Sequence, residues 1–291
     1  MTLALLLLLK AAVSIIIFAV GLDSTPADAT WLLRRPALLL RSLLAMYVLV
    51  PLAAVVLVKS LTLAPGVEIG LLVLAVSAGA PLLPRKLLGV GNSAYIFSLV
   101  VMSSVLAIAV VPAWLAVLGS YFNAPAPLTP ANVAEVLAKS FFAPLLAGMA
   151  IRWLFPSIAG RLAPLGMSVA GAGLLLGALA LLVVHWQIVL AIQWGGVLAL
   201  MALIVMALAI GHILGGSTES DRTTLAIACA TRHIGVAVLV ATSLPGPRTA
   251  VILSVYIAAS AAVSLPYLRW RRAVAARVHA EASTSASVPK R

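Results

Sequence analysis

The sequence predicts an all-α membrane protein with about nine transmembrane helices, and three observations support this prediction. Of the 291 residues, 64% are hydrophobic and only 9% are charged, whereas soluble domains carry roughly 25% charged residues. Runs of about 20 apolar residues, the length that crosses a bilayer, recur along the chain. These runs are continuous Leu, Ala and Val rather than the alternating pattern of barrel strands.

Nine spans in one polytopic domain account for residues 1–270. A first repeat covers about 3–118, a joining helix about 133–154 and a second repeat about 165–267, and residues 271–291 form a basic tail that we expect to be disordered. The predicted spans are at about 3–22, 38–58, 67–88, 93–118, 133–154, 165–184, 196–214, 223–243 and 250–267.

The formal net charge of +12 reflects membrane orientation rather than nucleic-acid binding, because most Lys and Arg residues flank apolar runs. The last span is followed by Arg269, Arg271, Arg272 and Arg277. The positive-inside rule therefore predicts a cytoplasmic C-terminus in a multi-pass inner (plasma) membrane protein. The single cysteine, Cys229, excludes a disulfide within the chain. The sequence does not give the oligomeric state.

Two of the predicted spans are interrupted near their middles. The third contains Pro81-Leu82-Leu83-Pro84, and each proline lacks a backbone donor. The eighth contains Arg232 and His233, and an Arg at the bilayer centre costs about 2.5 to 3.5 kcal/mol on insertion scales, so it should face protein or water. The alternatives are a simple proline kink in the third span and an interfacial Arg232 in the eighth.

The order of the spans makes these two interrupted helices antiparallel, because they are five positions apart. Spans one to four and spans six to nine then form inverted repeats. Paired discontinuous helices in inverted repeats indicate a transporter with its binding site near the bilayer midplane.

Three stretches of the chain together carry a resemblance to a known family: Leu32-Leu33-Arg34-Arg35-Pro36, Ala80-Pro81-Leu82-Leu83-Pro84-Arg85-Lys86 with Gly91-Asn92-Ser93-Ala94-Tyr95, and Thr223-Thr224-Leu225-Ala226-Ile227 with Thr231-Arg232-His233-Ile234-Gly235. In the order and spacing of these stretches the chain resembles the bile acid:sodium symporter superfamily over roughly 15–270. The resemblance implies a transporter with a panel domain and a core domain, in which two unwound helices cross beside the substrate and sodium sites.

The chain departs from that family at the positions implied to bind sodium. Leu82-Leu83 replaces a Ser-Asn pair, Ala228 replaces a Glu, and Arg232-His233 replaces a Gln-Asn pair. Sodium ligands usually include a carboxylate, and all seven acidic residues fall in predicted loops, tails or helix ends. We therefore expect a divergent member that is not sodium-coupled in the usual way.

The candidate substrate-binding residues are Arg232, His233, Thr231 and Ser98. Arg232 offers a fixed cation with five donors, suited to a carboxylate, sulfate or phosphate; the alternative is a structural role at the helix crossing. His233 titrates near neutral pH and is a candidate proton carrier, or it is a neutral residue bonded to a carbonyl. Thr231 and Ser98 are candidate cavity lining, or they pack the helices.

The function that this pattern favours is secondary-active or facilitative transport of a small organic anion by alternating access in a lipid bilayer. Proton and sodium remain open as coupling ions. No enzyme activity, metal site or cofactor is expected, since no catalytic constellation is visible. The alternatives are a sodium symporter with relocated ligands, and a non-transporting receptor or scaffold. A transporter requires a cavity that reaches Arg232. A scaffold would instead pack Leu82, Leu83 and Ala228 closely, without water, where the two interrupted helices cross.

Overall fold

A computed structural model describes residues 2–78, 91–121, 129–184, 186–233, 237 and 248–286. Throughout these residues the regular elements are helices, joined at one point by an isolated antiparallel bridge. In the first half they are α1 (Thr2–Asp23), α2 (Pro26–Ala29), a 3-10 turn (Trp31–Arg34), α3 (Pro36–Leu44), a π turn (Ala45–Leu49), α4 (Val50–Ser60), α5 (Pro65–Val76) and α6 (Ser93–Tyr121).

The second half has the same all-helical character. Its elements are α7 (Pro130–Leu137), a π turn (Ala138–Phe142), α8 (Ala143–Leu154), α9 (Pro156–Val184), α10 (Trp186–Ala191), α11 (Gln193–Leu214), α12 (Glu219–Cys229) and α13 (Arg248–Ala286). The sequence-based prediction of an all-α membrane protein is confirmed, whereas nine spans and inverted repeats remain predictions.

Five helices of the described part are long and apolar enough to cross a membrane. One of them coincides with its predicted span, three differ from theirs by at most two residues at either end, and one begins nine residues earlier than predicted, at 156 rather than 165. The five are Pro36–Ser60, Ser93–Leu118, Ala134–Leu154, Pro156–Val184 and Trp194–Leu214. Two further helices, α1 with 22 residues and α13 with 39, also have sufficient length.

The π turn at Ala45–Leu49 allows one membrane helix to continue through a proline. Pro51 cannot donate a hydrogen bond to the Tyr47 carbonyl four residues earlier, and unpaired backbone groups are costly in lipid. The Trp114 indole Nε1 supplies the missing donor, at 2.8 Å from the Tyr47 carbonyl oxygen. This bond fixes α6 beside the helix formed by α3 and α4.

The helices pack in two groups. In the first, α1 lies against α8 and α9, and its Gly21 approaches the Leu145 carbonyl so closely that a Cβ would lie 2.3 Å from it. In the second, α11 packs against α4, α12 and α13, while α5 packs against α4, α6 and α13. Contacts between α9 and α13 join the groups. The predicted panel and core domains remain a prediction, with which this grouping agrees.

Neither α5 nor α12 is long enough to cross a membrane by itself. They contain 12 and 11 residues, which correspond to about 18 and 16 Å at about 1.5 Å per residue. The first ends at Val76, before the predicted break at Pro81 to Pro84, and those four residues lie outside the described part of the chain.

The start of α12 is held against α13 by Arg271, whose side chain is buried. Its Nη2 donates to a Glu219 carboxylate oxygen and, at 3.0 Å, to the Glu219 carbonyl; its Nε donates to Thr223 Oγ1 at 2.8 Å. The hydrogen bond from Arg271 lowers the pKa of Glu219.

The expectation of a disordered tail is corrected, because the chain after Arg271 continues as helix to Ala286. Its alanine content and lack of Gly and Pro favour that continuation.

We predict that Gly211→Ala destabilises the protein while Gly195→Ala, in the same helix, does not. A Cβ at Gly211 would lie 2.5 Å from both Ala226 Cα and the Leu225 carbonyl oxygen, whereas nothing lies within 4 Å of a Cβ at Gly195. Overpacking of this kind costs roughly 1 to 3 kcal/mol. Thermal unfolding of the purified protein in detergent measures both; equal midpoints would contradict the close approach of α11 and α12.

We also predict that Glu219→Gln removes an acid-dependent part of the stability. Because the folded-state pKa lies below the ordinary 4.5, the ionised carboxylate stabilises the fold above that value, and this contribution is lost as the pH falls through the lowered pKa. When the pH is lowered from neutral to below 4.5, the thermal unfolding midpoint of the wild type should therefore fall more than that of Glu219→Gln. Glu135→Gln is the control, since Glu135 pairs with Lys139 on an exposed surface. If the thermal midpoints of Glu219→Gln and Glu135→Gln respond equally to pH, the stabilising role assigned to Glu219 is contradicted.

Candidate substrate-binding site

The ends of α5 and α12 meet and pair through their backbones. Ala78 and Arg232 form an antiparallel bridge, and the His233 amide donates to the Ser77 carbonyl oxygen at 3.0 Å. The Ser77 carbonyl lacks a helical donor because the residue four positions later is Pro81. We call residues 76–78 and 229–233 the crossing.

Side-chain hydroxyl groups bond several of the carbonyl groups at these helix ends. Thr231 Oγ1 donates to the Ile227 carbonyl at 2.7 Å, and Ser77 Oγ donates to the Val73 carbonyl at 2.7 Å. The Ala230 carbonyl accepts from Tyr256 Oη at 2.7 Å and from Ser260 Oγ at 3.4 Å. Because lipid offers no hydrogen-bond partners, these contacts allow two helices to end inside the protein.

Arg232 is the most unusual side chain of the crossing, because it is charged and only 1% exposed. Its two terminal nitrogens, Nη1 and Nη2, have no hydrogen-bond partner within the described residues. Ion pairs seen in those residues involve other arginines. Nearby groups that interact with it electrostatically are Tyr256, Cys229 and Tyr47, and none of them is a carboxylate.

The local fields favour a positive charge at this position. Both α5 and α12 end at the crossing with their C-termini, and a helix C-terminus carries roughly half a negative charge. These dipoles offset part of the cost of burying the guanidinium. They do not replace the hydrogen bonds that it loses on leaving water, so a ligand that supplies acceptors would be strongly stabilised.

A cavity of about 500 Å³ reaches the crossing between α9 and α13. At its deep end lie Thr231 and Arg232, and at its other end lie the exposed Arg269 and Arg272. Between the two ends the lining is Gly171, Leu174, Leu175, Tyr256, Ile257, Ser260, Ala261, Ser264, Leu265 and Leu268.

The polar part of the lining is a stripe on α13 formed by Tyr256, Ser260 and Ser264. Residues four apart lie on one face of a helix. Ser264 is 2% exposed, and its hydroxyl lacks a hydrogen-bond partner within the described residues. This stripe was not predicted from the sequence, although its i, i+4 spacing in the ninth predicted span was the available signal.

Among the residues that the structure describes, the other predicted site residues lie outside this cavity's lining. His233 is fully buried, and its ring packs edge-on against Phe141 with centroids 6.0 Å apart. Ala228 is fully buried in the last turn of α12. Ser98 Oγ accepts from the Leu32 amide at 3.0 Å and donates to the Ala29 carbonyl at 2.9 Å, so it fixes the segment before α3.

The predicted crossover residues Pro81, Leu82, Leu83 and Pro84 lie among the residues that the structure does not describe. The crossing therefore contains, from the predicted set, Thr231, Arg232 and His233, with Ala228 directly before it. Of these, Thr231 and Arg232 share the cavity with the polar stripe of α13.

Residues 10–218 match the sequence model of the Sodium Bile acid symporter family. The matched region includes α5 with Ser77 and Ala78, and it ends at Thr218, which caps α12. Thr231, Arg232 and the cavity lining on α13 therefore lie beyond it. A search of curated proteins finds no match.

We predict that Tyr256→Phe destabilises the protein more than Tyr267→Phe in the same helix. The first change removes a buried donor from the Ala230 carbonyl, with an expected loss of about 1 to 2 kcal/mol. The second removes a contact with His212 that is only partly buried, so water can replace it. Thermal unfolding in detergent compares them; a smaller effect of Tyr256→Phe would contradict its role at the crossing.

Proposed function

Because the chain belongs to the Sodium Bile acid symporter family, which points to a membrane transporter of the bile acid symporter kind, we propose that it carries a small organic anion across the bilayer. Transport is secondary-active or facilitative and proceeds by alternating access. The substrate binds in the cavity between α9 and α13, with its anionic group at Arg232.

The observation that carries this proposal is that Arg232 lines a cavity while its Nη1 and Nη2 have no hydrogen-bond partner within the described residues. Two terminal nitrogens without hydrogen bonds present the fork geometry that a carboxylate, sulfonate or phosphate accepts bidentately. An anion bound there would supply both the missing charge and the missing acceptors. A purely structural Arg would be expected to use its donors on the neighbouring carbonyl groups.

The other lining residues have complementary roles in this proposal. Thr231, Tyr256, Ser260 and Ser264 orient polar parts of the substrate, and Ser264 offers a hydroxyl that has no partner in the described residues. The leucines of α9 and α13 contact its apolar body. His233 positions the crossing through its amide, and binding by its ring or by Ser98 remains a prediction from the sequence.

Alternating access in this proposal is a movement of the group α1, α8 and α9 relative to the group around α11. The cavity lies where these two groups meet, with α9 on one side and α13 on the other. Movement there would change which side of the membrane the cavity faces, while the crossing of α5 and α12 stays intact.

We further propose that transport does not depend on sodium in the manner usual for the family. Three described carboxylates contact other cations: Asp23 contacts Arg152, Glu135 contacts Lys139, and Glu219 contacts Arg271. Within the described residues, the groups that interact electrostatically with Arg232 do not include a carboxylate. Arg232 already places a fixed positive charge at the crossing. A bound sodium ion would be repelled by it and would lack a carboxylate ligand.

The test is uptake of a panel of labelled organic anions into proteoliposomes, with and without sodium and pH gradients. Arg232→Gln should lower uptake at least about tenfold, because a hydrogen-bonded charge contributes about 1.5 to 3 kcal/mol. Arg35→Gln is the control, since Arg35 is exposed and lies over the Trp31 ring. Uptake that requires sodium would contradict the coupling proposal, and dependence on a pH gradient would indicate proton coupling.

A second variant separates substrate binding from a structural role. Arg232→Met keeps an unbranched side chain but removes the buried charge. If Arg232 serves the substrate, this variant loses uptake and keeps or gains thermal stability, since an unpaired buried charge destabilises the empty protein. If Arg232 mainly holds the crossing together, its thermal midpoint falls instead. Absence of uptake by folded wild-type protein would overturn the transport proposal.

A further inference from the structure

We propose that the cavity prefers dianions: molecules with an acid group at each end of a narrow apolar body. This inference rests on the proposed function, because it concerns the same cavity. One acid group binds Arg232 at the deep end, and the other binds Arg269 and Arg272 at the mouth.

The positions of the cations set the length of such a molecule. Ser260 marks the deep end, because its hydroxyl donates to the carbonyl of Ala230, the residue before Thr231. Ser260 and Arg272, which lies at the mouth, are both on α13. They lie about 18 Å apart along its axis, since each helical residue advances about 1.5 Å. The acid groups of a ligand would be closer together than that, because arginine side chains reach inward from the backbone.

The shape and chemistry of the middle of the cavity indicate an apolar, narrow body. A volume of about 500 Å³ over that length gives a mean cross-section of roughly 28 Å², enough for one unbranched chain or a single file of rings. Leu174, Leu175, Leu265 and Leu268 line this part. The polar stripe covers one side of it.

The pairing of charges around the mouth leaves two cations available. Arg271, between them in sequence, is buried and held by Glu219 and Thr223. Arg269 and Arg272 line the cavity, and the ion pairs found within the described residues do not include them. A monoanion bound at Arg232 would leave both mouth cations without a counter-charge, whereas a dianion of matching length would pair with both ends.

The experiment uses aliphatic sulfonates, which keep their charge at all accessible pH values and cross lipid poorly. A series of α,ω-disulfonates is compared with monosulfonates of equal chain length as competitors of labelled anion uptake, in proteoliposomes of neutral phosphatidylcholine. We expect the wild type to favour disulfonates at intermediate lengths and not at the shortest lengths, which cannot reach both ends.

The double variant Arg269→Gln, Arg272→Gln should lower the disulfonate-to-monosulfonate preference about fivefold, the size of one partly exposed ion pair. Arg277→Gln is the control, because Arg277 is exposed on the same helix and outside the cavity lining. Circular dichroism and thermal midpoints establish that all variants are folded. An unchanged preference in the double variant, or no preference in the wild type, would overturn the inference.

Ligand-induced thermal stabilisation in detergent provides a readout that does not require transport. Monosulfonate uptake that depends on Arg232, without any dianion preference, would leave the proposed function standing and remove only the inference. Conversely, stabilisation by disulfonates that is lost in the double variant, in a protein that transports no anion, would support the dianion site and overturn the proposed function.

Discussion

The pairing between the ends of α5 and α12 is the constraint on which the rest of the structure depends. Two helices that end in the interior of a membrane protein would each leave carbonyl and amide groups without partners, and lipid cannot supply them. The bond from the His233 amide to the Ser77 carbonyl satisfies one group of each segment at once. Neither segment could adopt its unwound conformation without the other, so the crossing forms as a unit.

This pairing explains why a charged side chain is tolerated where Arg232 lies. Two helix C-termini converge there, and their partial negative charges favour a guanidinium. The same arrangement leaves Nη1 and Nη2 without acceptors in the described residues. The crossing therefore favours the charge of Arg232 without bonding its terminal nitrogens in the part of the chain that the structure describes.

The helix α13 joins the structural and the binding features of the molecule. Its Tyr256 bonds the end of α12, and its Arg271 holds the start of α12 through Glu219. Between those two contacts, Ser260, Ser264 and Leu268 line the cavity. Any tilt of this helix would consequently move the cavity lining and both ends of α12 together, which is a physical route from substrate binding to movement of the crossing.

The sequence by itself determined where the long apolar helices lie, and it singled out Arg232 as a charge that protein or water must surround. Continuous apolar runs of bilayer length fixed spans such as Pro36–Ser60 and Ser93–Leu118, and the cost of a charge in lipid identified Arg232 as a residue that must face protein or water. Pro81 and Pro84, which lack a backbone donor, marked the third span as interrupted. These inferences depend on local composition and on which backbone groups can form hydrogen bonds. Both can be read from the sequence.

Only the tertiary structure decided which residues share a site. Ser98 was predicted as cavity lining, yet its hydroxyl bonds the segment at Ala29 and Leu32, while Ser260 and Ser264, which were not predicted, face the cavity with Arg232. A serine in an apolar run has the same local pattern whether it packs a helix or lines a cavity. The difference depends on how helices distant in sequence are rotated and spaced, which is set by contacts such as the close approach of Gly211 to Ala226.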